Sequence, residues 1–515
     1  MKLPGLKKLV NLLKFAFRRV TVVGISLLAQ IFFFLLMIWY FQDNSRWFYI
    51  ASLLLSLLVT LFVISRNTNP AYKLAWIAPI MAFPVFGGLF YLILGGNRIS
   101  PHHQERMRAV DTSMRDHLPQ NPDIMEELQW YSADAVVQST YLQKVAGCPV
   151  YRNTHTRYLT PGEVALPAML DALQSAEHYI FLEYFIISPG QMWDSILAVL
   201  KQKAAEGLDV RVIYDDFGCI TTLPVGYRKQ LESFGIQCRV FMPFVPIMTP
   251  RLNNRDHRKL MIIDGKVGFT GGINLADEYI NEHERFGHWK DNALELRGDA
   301  VWSMTVMFLS LWDYISGSSA TISDFLPAES EPGTGGFVQP YQDVPTDDEA
   351  VGQTVYLNMI ARAHQSVWIM TPYLIIDHSM SEALCTAAKS GLDVRIITPH
   401  IPDKRYVHTV TRSFYEQLLR SNVRIYEYTP GFIHSKVFCV DGKYATVGTI
   451  NLDFRSLYLH FEDGVFLYNA DCLPDISRDF RETFAVSQEI TLQDCTANPL
   501  VRLTRAVLRL VAPLM

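Results

Sequence analysis

Two stretches of the chain place the same reactive side chains at the same intervals. "HRKLMIIDGKVGFTGGIN" runs from His257 to Asn274 and "HSKVFCVDGKYATVGTIN" from His434 to Asn451, with every matched position displaced by 177 residues. Each has a histidine, a lysine two positions on, an aspartate before a glycine turn, and a closing asparagine. One such copy reads as an ordinary strand of alternating polar and apolar residues ending in a D-G turn. Agreement at five positions in two copies defeats that reading. The repeat also extends upstream: "GLDVRVI" from Gly207 is answered by "GLDVRII" from Gly391, and "YIFLEYFII" from Tyr179 by "VWIMTPYLI" from Val367. The offset drifts between about 177 and 188, so the halves differ by loop insertions within one pseudo-symmetric unit.

The residue types point to phosphoryl chemistry. Alternation along a strand puts His257 with Lys259, and His434 with Lys436, on one face. A lysine ammonium and an asparagine amide, here from Asn274 and Asn451, suit the non-bridging oxygens of a phosphate whose charge grows in the transition state. A neutral imidazole beside them attacks phosphorus or passes a proton to the departing oxygen. Substitution at a phosphodiester through a covalent intermediate needs a nucleophile and an acid. One half has one motif histidine, so the two copies must face each other. A lysine two residues after each histidine would repel a divalent ion, and the cysteines at 148, 219, 238, 385, 439, 472 and 495 show no metal-ligand spacing. Neither metal nor cofactor is expected, and the thiols read as small buried groups.

The elements that must position these residues alternate strand-like apolar runs with helix-like ones such as "SILAVLKQKAAEG" and "SEALCTAAKSG", which predicts an α/β sandwich in each half. The first half spans 148–319 and the second 339–487. Between them, 320–338 includes the linker composition "PAESEPGTGG". A polar connector, 97–147, precedes them and an amphipathic segment, 488–515, follows. In that segment Arg502, Arg505 and Arg509 share one helical face. This suits equally a helix lying on an anionic membrane and an ordinary amphipathic core helix.

The chain has 515 residues, 49% of them hydrophobic. Its mean hydropathy of +0.11 is high for a purely soluble protein. The excess sits in an N-terminal region, 20–96, with uncharged runs at 20–40, 47–65 and 74–96, each long enough to cross a bilayer. The third contains Pro79, Pro84, Gly87 and Gly88 and reads as a kinked span or a re-entrant hairpin. A cleaved signal peptide is a poor fit, because the first run is too long and more apolar runs follow. Segment 1–19 has six basic residues and no acidic one, which places it on the cytoplasmic side. Three spans would put the remaining chain outside; two spans and a re-entrant segment would keep it inside. The net charge of −5 argues against a nucleic-acid partner.

The pattern H-x-K-x-x-x-x-D followed by G-[GST]-x-N, present twice, resembles the phospholipase D superfamily over most of the chain after about residue 150. Within it, "AYKLAWIAPIMAFPVFGGLFYLILGGNR" and "FTGGINLADEY" look like the bacterial cardiolipin synthases. The resemblance implies two phospholipase D-like α/β/α sandwich halves forming one catalytic unit after N-terminal transmembrane helices. It implies His257 as nucleophile and His434 as acid and base, or the reverse, with Lys259, Lys436, Asn274 and Asn451 gripping the phosphate. Asp264 and Asp441 complete the catalytic motif in a structural role, and Glu462 and Asp291 orient the histidines. Gly272 stands where many relatives outside the cardiolipin synthases have a hydroxyl residue, so a substrate hydrogen bond from that position falls to Thr449 alone. The implied reaction moves a phosphatidyl group between two phosphatidylglycerol molecules, giving cardiolipin and glycerol. Anionic phospholipids are the partners, and a bacterial plasma membrane crossed several times is the location. The alternatives are a membrane-anchored phospholipase D, or a phosphatidyltransferase with another donor or alcohol. A non-catalytic lipid-binding scaffold would have no need of both complete motifs.

Overall fold

The computed structural model describes residues 46–83, 101–243, 253–317, 322–327, 335–346, 349–496 and 498–514, with isolated positions inside 28–40 and 87–95. The basic segment 1–19, most of the first apolar run and the middle of the linker lie outside them.

Two sheets repeat one topology. The first half has β1 (Thr154–Leu159), β2 (Tyr179–Tyr184), β3 (Asp209–Asp215), β4 (Gln237–Phe241), β5 (Lys259–Ile263), β6 (Val267–Gly271), β7 (His288–Lys290) and β8 (Ala293–Gly298). The second has β9 (Phe337–Asp343), β10 (Ser366–Met370), β11 (Asp393–Pro399), β12 (Arg424–Tyr428), β13 (Gly431–Ile433), β14 (Val437–Val440), β15 (Tyr444–Gly448), β16 (Glu462–Tyr468) and β17 (Ser487–Ile490). The first sheet runs β1-β8-β6-β5-β2-β3-β4, and the second runs β9-β16-β15-β14-β10-β11-β12 and then adds β17 at its edge. Each sheet has two parallel pairings, β2–β3 and β3–β4 in the first and β10–β11 and β11–β12 in the second, alongside the antiparallel motif hairpin, β5–β6 or β14–β15. The outermost strands lie slightly beyond the 339–487 bounds read from the sequence.

The motif aspartates explain why the hairpins sit where they do. Asp264 and Asp441 both adopt positive φ, 53° and 54°, at the turn. The Asp264 carboxylate accepts the backbone N–H groups of Glu177, His178 and Tyr179 at 2.7–2.8 Å. Asp441 does the same for His364, Gln365 and Ser366 at 2.7–2.9 Å. Each aspartate thus clamps the start of the neighbouring parallel strand to its motif turn. An ionised carboxylate makes these stronger than neutral hydrogen bonds.

The halves share one interior. Helix α3 (Val301–Ser316) is buried along almost its whole length, and its Phe308 stacks on Phe181 of β2 with ring centroids 4.6 Å apart. A contiguous apolar core continues from these residues to Val338 and Phe466 of the second half. A second core, with Trp193 and Ile196, covers the outer face of the first sheet. The connector is helical, with helices Pro101–Arg115, Pro122–Tyr131 and Ala133–Tyr141. All seven cysteines are free and buried.

Near the N-terminus, α1 (Arg46–Ser65) packs against α2 (Pro70–Ala82). Beyond α2 the chain doubles back. Trp76 meets Tyr91 edge-on at 5.2 Å, and the Tyr72 hydroxyl donates to the Gly95 carbonyl at 3.1 Å. At Gly87 a Cβ would lie 2.3 Å from the Ile80 Cα, and at Gly88 one would lie 2.6 Å from the Ser56 Oγ. Only glycine permits backbones to approach that closely. Of the two readings of run 74–96, the described residues therefore fit the hairpin. Among them no helix is long and apolar enough to cross a membrane. The remaining helices used below are α4 (His378–Lys389), α5 (Phe454–Tyr458) and α6 (Pro499–Val511).

Candidate active site

The motif histidines precede β5 and β14, and each is tied to the other half. The backbone N–H of His257 donates to the Phe461 carbonyl at 2.8 Å, next to an isolated parallel bridge between Asp256 and Phe461. The backbone N–H of His434 donates to the Lys290 carbonyl at 2.7 Å, where β7 and β13 pair in parallel across the halves. In both cases the residue after the accepting carbonyl is a carboxylate that reaches the imidazole. Glu462 lies 2.9 and 3.0 Å from His257 Nδ1, and Asp291 lies 2.7 Å from His434 Nδ1. A carboxylate at Nδ1 holds the ring's proton there and leaves the lone pair on Nε2.

The environment sets the charges. Burial, reinforced by Lys259, Lys436 and His434, holds the His257 pKa well below the ordinary histidine value. Burial lowers His434 to about 4, with Lys436 adding to the effect and Asp291 opposing it. Burial also lowers Lys259, and brings Lys436 down to about 7. For Asp291 burial disfavours the ionised form, but His434 and Lys436 outweigh it and its carboxyl stays below the usual range. Burial therefore disfavours positive charge on every one of these basic groups. A phosphodiester anion seated among these groups raises the pKa of every one of them.

The other expected residues divide. Lys259 and Lys436 are almost fully buried, and each ammonium donates to the carbonyl of its own motif histidine. Asn274 accepts the Ile186 N–H at 3.1 Å and donates to the Tyr279 hydroxyl at 2.7 Å. Asn451 donates to Ser456 at 3.2 Å, and its carbonyl oxygen is buried without a partner. Thr449 was expected to line the substrate pocket; its hydroxyl instead donates to Glu462 at 2.5 Å and accepts the Asp463 N–H at 3.0 Å. Gly272 holds the equivalent place beside Asp291, where a Cβ would lie 1.9 Å from a carboxylate oxygen. Aspartate is shorter than glutamate and must come closer to the backbone, which leaves no room for a side chain there.

Sequence reading missed His460. Its ring lies 5.7 Å from that of His257, and both of its nitrogens are buried without a hydrogen bond. Two positions before Glu462, it carried no repeat signal, because nothing in the first half matches it. His257, His460 and Glu462 have potential ligand atoms within 4.8 Å of one another. A cation there would have to draw Glu462 from His257 Nδ1 and sit beside two lysines, so the set suits the imidazole–carboxylate pair better than a metal. Aromatic rings wall the pair: Phe185 lies 5.2 Å from His257, and Trp289 and Tyr279 lie 5.4 and 5.5 Å from His434.

Comparison with known proteins agrees with this architecture. A family model described as "Cardiolipin synthase, PLD-like domain" matches residues 169–294 and 356–485, one segment in each half. A second, "Phospholipase_D-nuclease N-terminal", matches 54–96, covering the α1 and hairpin region. An uncharacterised protein of Streptococcus mutans is 41% identical over 88% of this chain and 99% of its own length. A cardiolipin synthase of Geobacillus kaustophilus is 35% identical over 89% of this chain and 91% of its own. Among solved structures, phosphatidylserine synthase from Haemophilus influenzae shares the fold, with a TM-score of 0.56 at 14% identity over 74% of this chain and 100% of its own. By its duplicated domain and by its relatives, the chain belongs to the cardiolipin synthase family.

Proposed function

We propose that the chain is a membrane-anchored cardiolipin synthase that transfers a phosphatidyl group between two phosphatidylglycerol molecules. The observation that carries the reading is the reciprocal pair: two buried imidazoles, each fixed at Nδ1 by a carboxylate from the opposite half. His257 Nε2 attacks phosphorus, the bond from phosphorus to the glycerol oxygen breaks, and protonated His434 gives its proton to that oxygen. A second phosphatidylglycerol then loses a hydroxyl proton to His434 and attacks phosphorus, breaking the phosphorus–nitrogen bond. Lys259, Lys436 and the two asparagines steady the phosphoryl oxygens. One phosphodiester replaces another, so the exchange is near balance, and the aromatic walls serve to keep water from competing.

The membrane part of the reading is supported by α1, whose faces are reversed relative to a helix in water. Ser52, Ser56 and Thr60 are buried toward the bundle, whereas Leu54, Leu58 and Phe62 are more than half exposed. Small polar residues inside and large apolar ones outside suit lipid as solvent. Were the runs 20–40 and 47–65 to cross the bilayer, with the hairpin not crossing it, the anchor would be multi-pass and the catalytic halves would return to the side of the basic N-terminus.

Incubating the purified full chain with labelled phosphatidylglycerol alone, then separating the lipids, tests the reading. Labelled cardiolipin with equimolar glycerol is expected. Phosphatidic acid as the sole product would instead make the chain a hydrolase.

A further inference from the structure

A cavity of about 150 Å³ lies where the membrane hairpin, the second half and the C-terminal helix meet. Ala71 of α2, Ser381 of α4, Phe454 of α5, and Arg509 and Pro513 in and just after α6 contribute to its wall. At ~30 Å³ per water, it has room for a phosphate with part of a glycerol.

Two polar groups on that wall await a partner or have donors to spare. The Ser381 hydroxyl is buried at 2% exposure and makes no hydrogen bond. Such an orphan group is costly unless something fills the space beside it. The Arg509 guanidinium stacks over Phe414 at 4.2 Å and donates one hydrogen bond, to Gln417 at 3.1 Å, which leaves most of its donors unused. Burial lowers its pKa, and no acidic group acts to raise it. His378 stands at the rim on the first residue of α4. The one carboxylate on the wall, Asp377, is already occupied: it accepts from Asn69, Gln353, Tyr458 and the backbone of Met380 at 2.8–3.0 Å.

The position of the cavity identifies the anion's source. The Asn69 side chain caps α2 and reaches Asp377, so the hairpin is bolted to the wall. On the other side α6 exposes Leu500, Leu503, Val507 and Leu510, while Leu514 just beyond it packs against the α1–hairpin cluster. A basic helix with exposed leucines, continuous with an apolar bundle, lies at headgroup depth.

We propose that this cavity binds the phosphate of an anionic phospholipid from the surrounding leaflet, through Arg509 and Ser381, as a site separate from the catalytic histidines. The inference rests on the membrane seat proposed above. A lipid held there touches the hairpin, α6 and α5 together. Because α5 begins three residues after Asn451, occupancy couples the membrane to the catalytic half.

The test is native mass spectrometry of the detergent-purified full chain titrated with short-chain phosphatidic acid, which has no alcohol leaving group and is not turned over. Short-chain phosphatidylcholine and inorganic phosphate form the comparison arms. Arg509→Gln and Ser381→Ala should each weaken one bound equivalent of phosphatidic acid by about tenfold, as loss of a charge-assisted hydrogen bond predicts. Arg509→Lys should retain most of the binding, and hydrolysis of bis(4-nitrophenyl) phosphate should be unchanged in all three variants. Equal phosphatidic acid affinity in wild type, Arg509→Gln and Ser381→Ala overturns the site. Inorganic phosphate binding as tightly as the lipid, with the same variant losses, overturns the lipid assignment and leaves a free-anion site. Failure of the cardiolipin reaction in the wild type would appear separately, as absence of product, with the binding difference still readable.

Discussion

Glu462 of the second half holds Nδ1 of His257 in the first, 205 residues earlier, at 2.9 Å, and Asp291 holds Nδ1 of His434 in the opposite direction at 2.7 Å. Neither motif histidine takes its Nδ1 carboxylate from its own half. The duplication therefore yields one site rather than two, and separating the halves would dismantle both pairs at once.

The two carboxylates should be separable by kinetics. Glu462→Gln should slow loading of the nucleophile by about a hundredfold, the upper range for loss of such an orienting partner, whatever the leaving group. Asp291→Asn should slow phosphatidylglycerol turnover comparably but spare a nitrophenyl phosphodiester, whose leaving group needs no proton. Rapid-quench measurement of bound label and released alcohol checks both. The opposite pattern would exchange the roles of the histidines.

Gly272→Ala should abolish most activity in a protein that still folds. The new methyl would lie 1.9 Å from the Asp291 carboxylate and push it off His434. Overpacking of this kind costs about 1–3 kcal/mol, within the reach of a large domain. Circular dichroism and thermal melting should register a modest loss, while turnover falls as far as in Asp291→Asn. An alanine variant with full activity would show that Asp291 does not need this space.

The lowered pKa values set the pH profile. His257 must be neutral to attack phosphorus, so the acid limb of kcat/KM should fall well below the ordinary histidine value of 6.5; His434, held at about 4 by burial, takes up the proton it donates as the phosphodiester anion binds and raises its pKa. Lys436, brought down to about 7 by burial, loses its charge near there, which places the alkaline limb at that pH, and Lys436→Arg should move it upward. Stability follows the same sign. Between pH 6.5 and 4 the unfolded chain binds a proton at His434 that the folded site does not, so folding weakens by up to about 1.4 kcal/mol per pH unit as pH falls. An acid limb near 6.5 would mean the site is wetter than its packing indicates.

Since Lys259 and Lys436 supply the cationic charge, turnover should survive exhaustive chelation. Treatment with EDTA followed by dialysis, then assay with and without added divalent ions, checks this. Abolition with recovery by one specific ion would assign His257, His460 and Glu462 as its ligands.

Local patterns carried far in this protein because the repeat is itself local. The H-x-K-x-x-x-x-D spacing picked out the paired histidines and lysines, although His257, His434 and Lys436 lie just before β5 and β14 and not on a strand face; the D-G turns marked where β5–β6 and β14–β15 reverse, and apolar periodicity separated the halves from the N-terminal runs. The identities of Glu462 and Asp291 were legible through family resemblance. Their crosswise pairing was not, since separations of 205 and 143 residues leave no periodic trace. The same holds for His460, which is placed beside His257 only when Phe461 pairs with Asp256 across the halves. The bond from Thr449 to Glu462 was not legible either, because a hydroxyl's partner depends on what folds against it. The run 74–96 left a kinked helix and a hairpin open, as proline and glycine weaken a helix without choosing its new direction. Packing of Trp76 on Tyr91 and of Gly88 on α1 decided it, because only a returning chain buries those surfaces together.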